Sequence, residues 1–113
     1  MKEYIPAYGD IIWINLEPIK GHEQGGTRPS LVLSNTKYNA KTGMVIVAPI
    51  TSKPKGYAGE IPLPDKLKIQ GVVLSDHIRN LDWIERPVKF TGVNVSKDMV
   101  KQVMQRLLIL CNE

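Results

Sequence analysis

At 113 residues, 42% of them hydrophobic, the chain has the length of one domain and enough Ile, Val and Leu to fill a core without disulfides or metal. Its formal net charge of +4 favours polyanionic partners, because phosphate backbones attract Lys and Arg whatever the base sequence. The single cysteine, Cys111, excludes an internal disulfide, and the longest apolar run, Met44 to Ile50, is too short to cross a bilayer. Gly9-Asp10 then marks a turn, and Ile11 to Leu16 reads as a strand with Ile12, Ile14 and Leu16 on one face and Trp13 on the other. From Glu17 to Pro29 periodicity is lost among Pro18, Gly21, Gly25, Gly26 and Pro29, which predicts a loop, long for so small a chain and therefore a candidate for function.

Leu31 to Ser34 and Met44 to Ile50 are β-rich runs expected to pair, joined by a polar stretch, Asn35 to Gly43, with turn residues at both ends. A second basic loop, Lys53 to Gly59, leads into Glu60-Ile61-Pro62-Leu63, where proline confines a strand to an edge or an end. Gly71 to Leu74 reads as a buried strand, and Val88 to Val95 alternates as a strand should. Ser96 is a helix N-cap and Asp98 suits the positive end of the dipole, so a helix is expected from there to about Leu110. Met99, Val103, Met104, Leu107, Leu108 and Cys111 form its apolar stripe, expected to pack on the core with Cys111 as a small hydrophobe, while Lys97, Lys101, Gln105 and Arg106 face water. Five or six short strands closed by one helix predict a mainly β (α+β) fold, a small twisted barrel with a C-terminal helix. No charged-then-apolar leader opens the sequence, and a reducing, cytoplasmic location is expected.

The segment GHEQGGTRP, from Gly21 to Pro29, combines pliant backbone with His22, Glu23, Gln24 and Arg28. A phosphate-cradling P-loop would place Lys and then Ser or Thr after its last glycine, and Thr27-Arg28-Pro29 stands there instead. A dinucleotide fingerprint needs a helix after the glycines, which is not expected here. Arginine offers a planar fork of donors that matches phosphate, so Arg28 is the leading candidate, against the alternative of a structural salt bridge. Thr51, Ser52 and Lys53 emerge together at a strand end, where their donors suit phosphate or simply make a turn. Asp76 and His77 follow a buried strand in SDHIR, an acid and a possible base. Two histidines with Asp76 and Glu23 lack the close spacing of a metal site, and no serine sits in a nucleophile elbow, so no metal or cofactor is expected. Trp13, Tyr38, Tyr57 and Trp83 are candidates for stacking on bases, or for core packing.

Taken in order and spacing, GDIIWINLEP (9 to 18), GHEQGGTRP (21 to 29), YNAKTG (38 to 43), APITS (48 to 52) and SDHIR resemble the MazF/PemK/Kid toxins of type II toxin–antitoxin systems, across nearly the whole chain. The resemblance implies one MazF/PemK-like toxin domain over 1–113, an SH3-like barrel with a C-terminal helix, acting as a homodimer. It implies a sequence-selective, metal-independent endoribonuclease (mRNA interferase) that leaves a 2′,3′-cyclic phosphate and a 5′-hydroxyl, neutralised by an acidic MazE-type antitoxin whose tail covers the RNA groove. By position it implies Arg28, Thr51 and Asp76 as catalytic, and His22, Glu23 and Gln24 as loop residues contacting RNA; Ser52, Lys53 and His77 are taken with them. Two departures bear on the mechanism: His77 stands where many relatives carry glutamine, and Leu74 where Kid-like members can place a catalytic arginine. Attack by the ribose 2′-OH would explain why DNA is spared. Arg28 would stabilise charge on the non-bridging oxygens, Thr51 would hold the phosphate, and Asp76 or His22 is the easier base. The same barrel also serves CcdB-like toxins, which poison DNA gyrase and cut nothing, so fold alone does not separate the two. An inert RNA-binding barrel is a third reading.

Overall fold

The computed structural model describes residues 4 to 113. β1 (Asp10–Asn15) carries four consecutive apolar residues, Ile11 to Ile14, and accordingly packs on both of its faces. Ile12, Ile14 and Leu16 join Val32, Val45, Val47, Leu81 and Trp83 in one cluster. Ile11 joins Leu31, Leu33, Ala48, Ile50 and Val73 in the other, which helix α2 (Lys97–Cys111) covers through Met99, Val100 and Val103. Trp13, on the second face, is half-buried.

The remaining elements are β2 (Thr27–Val32), α1 (Thr36–Thr42), β3 (Met44–Thr51), β4 (Glu60–Pro62), β5 (Val72–Leu74), β6 (Arg79–Asp82) and β7 (Val88–Asn94). All ladders are antiparallel, in the order β4-β5-β3-β2-β1-β7, with β6 also on β3. The mainly β fold with a C-terminal helix is as expected, but the sheet is open: β4 and β7 end it and no ladder joins them. The proline-bearing β4 is an edge, as its sequence required, since proline has no N–H for a second neighbour.

Besides the open sheet, four features differ from the sequence expectation. The loop ends at Gly26, because Thr27, Arg28 and Pro29 pair with Asn15, Ile14 and Trp13 of β1. Pro29 is tolerated there because β2 pairs with β3 only from Ser30 onward, leaving that edge open beside it. The polar stretch 35–43 holds a helix: the Asn35 side chain accepts from the Tyr38 N–H at 2.8 Å, and Gly43 closes it in the left-handed region at φ 71°. The turn residues seen at both ends are its caps. Strand β6 carries one buried side chain, Leu81, and exists through its pairing with residues 44–47 of β3, a partner remote in sequence. Finally, only the first half of the α2 stripe is core. Met104, Leu108, Ile109 and Leu110 are 40%, 67%, 67% and 42% exposed, and Cys111 is exposed too, because the helix runs on past the sheet. Among the described residues no helix is long and apolar enough to cross a membrane.

At the start of β1 the Tyr4 hydroxyl donates to Asp10 Oδ2 at 2.6 Å, and its ring stacks on Phe90 with centroids 5.3 Å apart. Burial, reinforced by the Asp10 carboxylate, pushes the ionisation of Tyr4 well above its usual value of 10.0. The folded chain therefore keeps a proton that the unfolded chain releases above about pH 10. The stabilisation is complete below that pH and is lost as pH rises beyond it. An alkaline titration followed by circular dichroism should show Tyr4→Phe losing stability less steeply than the parent above pH 10. Identical profiles would remove Tyr4 from the effect.

Candidate functional site

The open end of the sheet, where β2 leaves the first loop and β3 ends, carries a cleft of about 680 Å³. Register places its two central side chains. Ser30 pairs with Pro49, and the same antiparallel register carried two residues further sets Arg28 across from Thr51. Both share the strand face of Val32 and Val47, so both project to the same side at the sheet's end.

Arg28 is half-buried, and its Nε donates to the Gly25 carbonyl at 2.8 Å. That bond orients the guanidinium, while its two terminal nitrogens have no protein acceptor among the described residues and open onto the cleft. Among the described residues no carboxylate pairs with it, so the salt-bridge alternative finds no partner there. The Thr51 hydroxyl accepts from the Lys53 N–H at 3.2 Å and keeps its own proton to donate.

The loop that presents Gly25 is held at both limbs. The Glu17 carboxylate accepts from the Gly26 N–H at 2.7 Å, and the Leu16 N–H donates to the Gly26 carbonyl at 2.9 Å. A Cβ at Gly25 would stand 2.5 Å from that Glu17 oxygen, so any larger residue there would make the Glu17 side chain shift. Arg79 donates to the carbonyls of Leu16 and Pro18, and Arg86 to those of Asn15 and Glu17, fixing the exit from β1. At the tip, Glu23 Oε1 accepts from the Lys20 N–H at 2.6 Å, which turns His22, Glu23 and Gln24 along the cleft wall.

Asp76 and His77 arrive from the opposite side. β3 is paired by β5 at residues 50–51 and by β6 at 44–47; between these stretches lies Pro49, and the chain from β5 to β6 leaves the ladder there with Asp76 and His77 at the turn. Pairing of Glu60 with Leu74 brings Gly59 against Asp76. A Cβ at Gly59 would lie 2.5 Å from Asp76 Cγ, so the bare glycine makes room for the carboxylate. The Asp76 side chain is 43% exposed, with His77 Nε2 3.9 Å from its Oδ1. A smaller recess of about 310 Å³ shares His22, Glu23, Gln24, Asp76 and His77 with the cleft and continues past Pro49 and Ile78 to Arg79.

The cleft thus gathers Arg28, Thr51, Asp76, His22, Glu23, Gln24, Lys53 and His77 from separate segments. Ser52 is exposed and does not line it. Of the aromatic candidates, Trp83 is buried with its Nε1 donating to the Asn39 carbonyl at 2.9 Å, and the Tyr38 hydroxyl accepts from Asn80 at 3.0 Å, whereas Tyr57 is open to the cleft. Sequence reasoning overlooked Gly59, whose neighbour Asp76 lies in another segment, and Glu17 and Glu60, whose carboxylates accept from backbone N–H groups of their own loops; only the basic character of the 53–59 loop pointed toward Lys55. Among the described residues no three His, Cys, Asp or Glu side chains are grouped as a metal site requires.

Residues 7–111 match the family described as PemK-like, MazF-like toxin of type II toxin-antitoxin system. The chain is 42% identical over 99 residues to the endoribonuclease toxin MazF of Escherichia coli (strain K12), covering 88% of each. It superposes on the crystal structure of MazF (Form-I) from Deinococcus radiodurans with a TM-score of 0.90, at 43% identity, covering 96% of this chain and 98% of that one. The MazE–MazF complex (Form-II) from the same organism gives a TM-score of 0.83 at 43% identity, covering 96% and 97%.

Proposed function

The chain belongs to the PemK-like, MazF-like toxins of type II toxin–antitoxin systems, an endoribonuclease toxin neutralised by an antitoxin, and we propose that it cuts single-stranded RNA in the cleft around Arg28. The observation that carries this reading is the guanidinium itself: anchored through one nitrogen, without a protein acceptor among the described residues at its other two, and lining one open groove with a threonine and an aspartate. In the reaction the ribose 2′-OH attacks the adjacent phosphorus and the P–O5′ bond breaks, giving a 2′,3′-cyclic phosphate and a 5′-hydroxyl. Arg28 stabilises the charge that grows on the non-bridging oxygens, an interaction stronger in the transition state than in the ground state. Thr51 donates to the same phosphate and keeps it in line. Asp76, with no hydrogen-bond donor engaged among the described residues, takes the 2′-OH proton, and the departing 5′-oxygen gains its proton from water in the open groove. Arginine supplies the positive charge, so the scheme needs no metal. Lys53 and the loop residues His22, Glu23 and Gln24, with His77, line the path of the flanking nucleotides.

We infer that the antitoxin is an acidic MazE-type chain, drawn by the formal charge of +4, whose tail covers the same groove; the similar MazF of Deinococcus radiodurans forms a complex with MazE. A homodimer is supported by the exposed Met104, Leu108, Ile109 and Leu110 around the end of α2, apolar surface that a second copy would cover. The protein works in the cytoplasm, where its substrate is. A CcdB-like gyrase poison is not supported, since the similar proteins are endoribonucleases.

Incubating the purified chain with a long, unstructured RNA in EDTA and mapping the new 5′ ends tests the proposal. Ends that accept a labelled phosphate without prior dephosphorylation, and an uncut DNA of the same sequence, are expected. Ends already phosphorylated, or cleavage abolished by the chelator, would overturn it.

A further inference from the structure

Away from the reacting centre, the cleft carries a large aromatic side chain that the fold does not use. Tyr57 is 65% exposed and stands beside Lys53 and Lys55 on the cleft wall. Among the described residues its ring has no aromatic partner and its hydroxyl no hydrogen bond. The segment bearing it is nevertheless held in place. The Glu60 carboxylate accepts from the N–H groups of Lys55 at 2.9 Å and Gly56 at 3.0 Å, and the Tyr57 carbonyl accepts from the Glu60 N–H at 3.1 Å. Arg106, reaching over from α2, donates to the Ala58 carbonyl. The Lys55 amide, with those of Gly56 and Tyr57, holds the Glu60 carboxyl below the usual carboxylate range, so this latch stays charged at neutral pH.

A ring kept in water on a fixed support is unfavourable until something apolar covers it, and each nucleobase offers a flat face for that purpose. We propose that Tyr57 is the stacking platform for one base flanking the scissile phosphate, with Lys53 and Lys55 taking the phosphates beside it. This rests on the reading of the cleft as an RNA site. Stacking tolerates any base but grows with overlap, so a purine binds there better than a pyrimidine and both better than an abasic ribose. Because the contact is made equally in ground and transition states, it acts on KM rather than kcat.

The test uses the full chain and an RNA oligonucleotide carrying a mapped cleavage site, prepared also with an abasic ribose at each flanking position in turn. Tyr57→Ala should raise KM about tenfold or more, the range measured for base–aromatic stacking, with kcat held within about twofold, and Tyr57→Phe should behave as the parent. On one abasic substrate the parent and Tyr57→Ala should become equal. An alanine variant with unchanged KM, a penalty that persists on all abasic substrates, or a phenylalanine variant as damaged as the alanine one would each overturn the stacking role. Unchanged RNA cleavage together with weakened antitoxin inhibition would assign the ring to the antitoxin instead. Failure of the parent chain to cut any RNA would overturn the reading of the cleft, and this inference with it; cutting by the parent with an indifferent Tyr57→Ala removes only the platform.

Discussion

Arg28→Ala is expected to lower the single-turnover rate of RNA cleavage about a thousandfold while leaving the melting temperature within a few degrees of the parent. Removing one preorganised charge from a developing oxyanion costs on the order of 10² to 10³ in rate, and Arg28 is both the charge and the fork of donors. The fold loses little, because the side chain contributes one internal hydrogen bond, to the Gly25 carbonyl, worth about 1 kcal/mol. Arg28→Lys should recover only a small part of the rate, since an ammonium cannot hold that carbonyl and grip two phosphate oxygens together. Single-turnover cleavage alongside thermal melting followed by circular dichroism makes the comparison. A folded Arg28→Ala that cuts within tenfold of the parent would take the arginine out of the chemistry.

Gly71→Ala is expected to destabilise the chain by about 3 kcal/mol or more, lowering Tm by roughly 10 °C, and to cost cleavage as well. Gly71 has φ 127°, which L side chains rarely adopt, and a Cβ there would press on the Thr51 carbonyl, with its carbon 2.9 Å away. Thr51 must shift, and with it the hydroxyl opposite Arg28. Gly56→Ala provides the control: φ is 82° but a Cβ would meet nothing within 4 Å, so its cost is backbone strain alone, about 1 kcal/mol. Equal losses in the two variants would mean that the approach of Gly71 to Thr51 does not matter to the fold.

The approach of Gly71 to Thr51 joins segments far apart in sequence, and that is where legibility changed. Asp76 could be named as a candidate from SDHIR, but the space for its carboxylate comes from Gly59 through the β4–β5 register. Arg28 could be singled out by its guanidinium among glycines, yet its place in a strand rather than a loop depends on Ile14 across the ladder.

The sequence by itself determined the parts that obey local rules: the alternation of Ile12, Ile14 and Leu16, the Ser96 cap of α2, the edge position of β4, and the run of motifs that resembles the toxin family. These follow from spacing of two or 3.6 residues and from side chains that bond their own neighbours. Only the tertiary structure decided that α1 is a helix, that β6 is a strand, that the sheet stays open, and that α2 leaves its last apolar turns uncovered. Strand pairing and burial depend on which remote segment arrives to share hydrogen bonds and apolar area, and neither composition nor period in one stretch of chain encodes that partner.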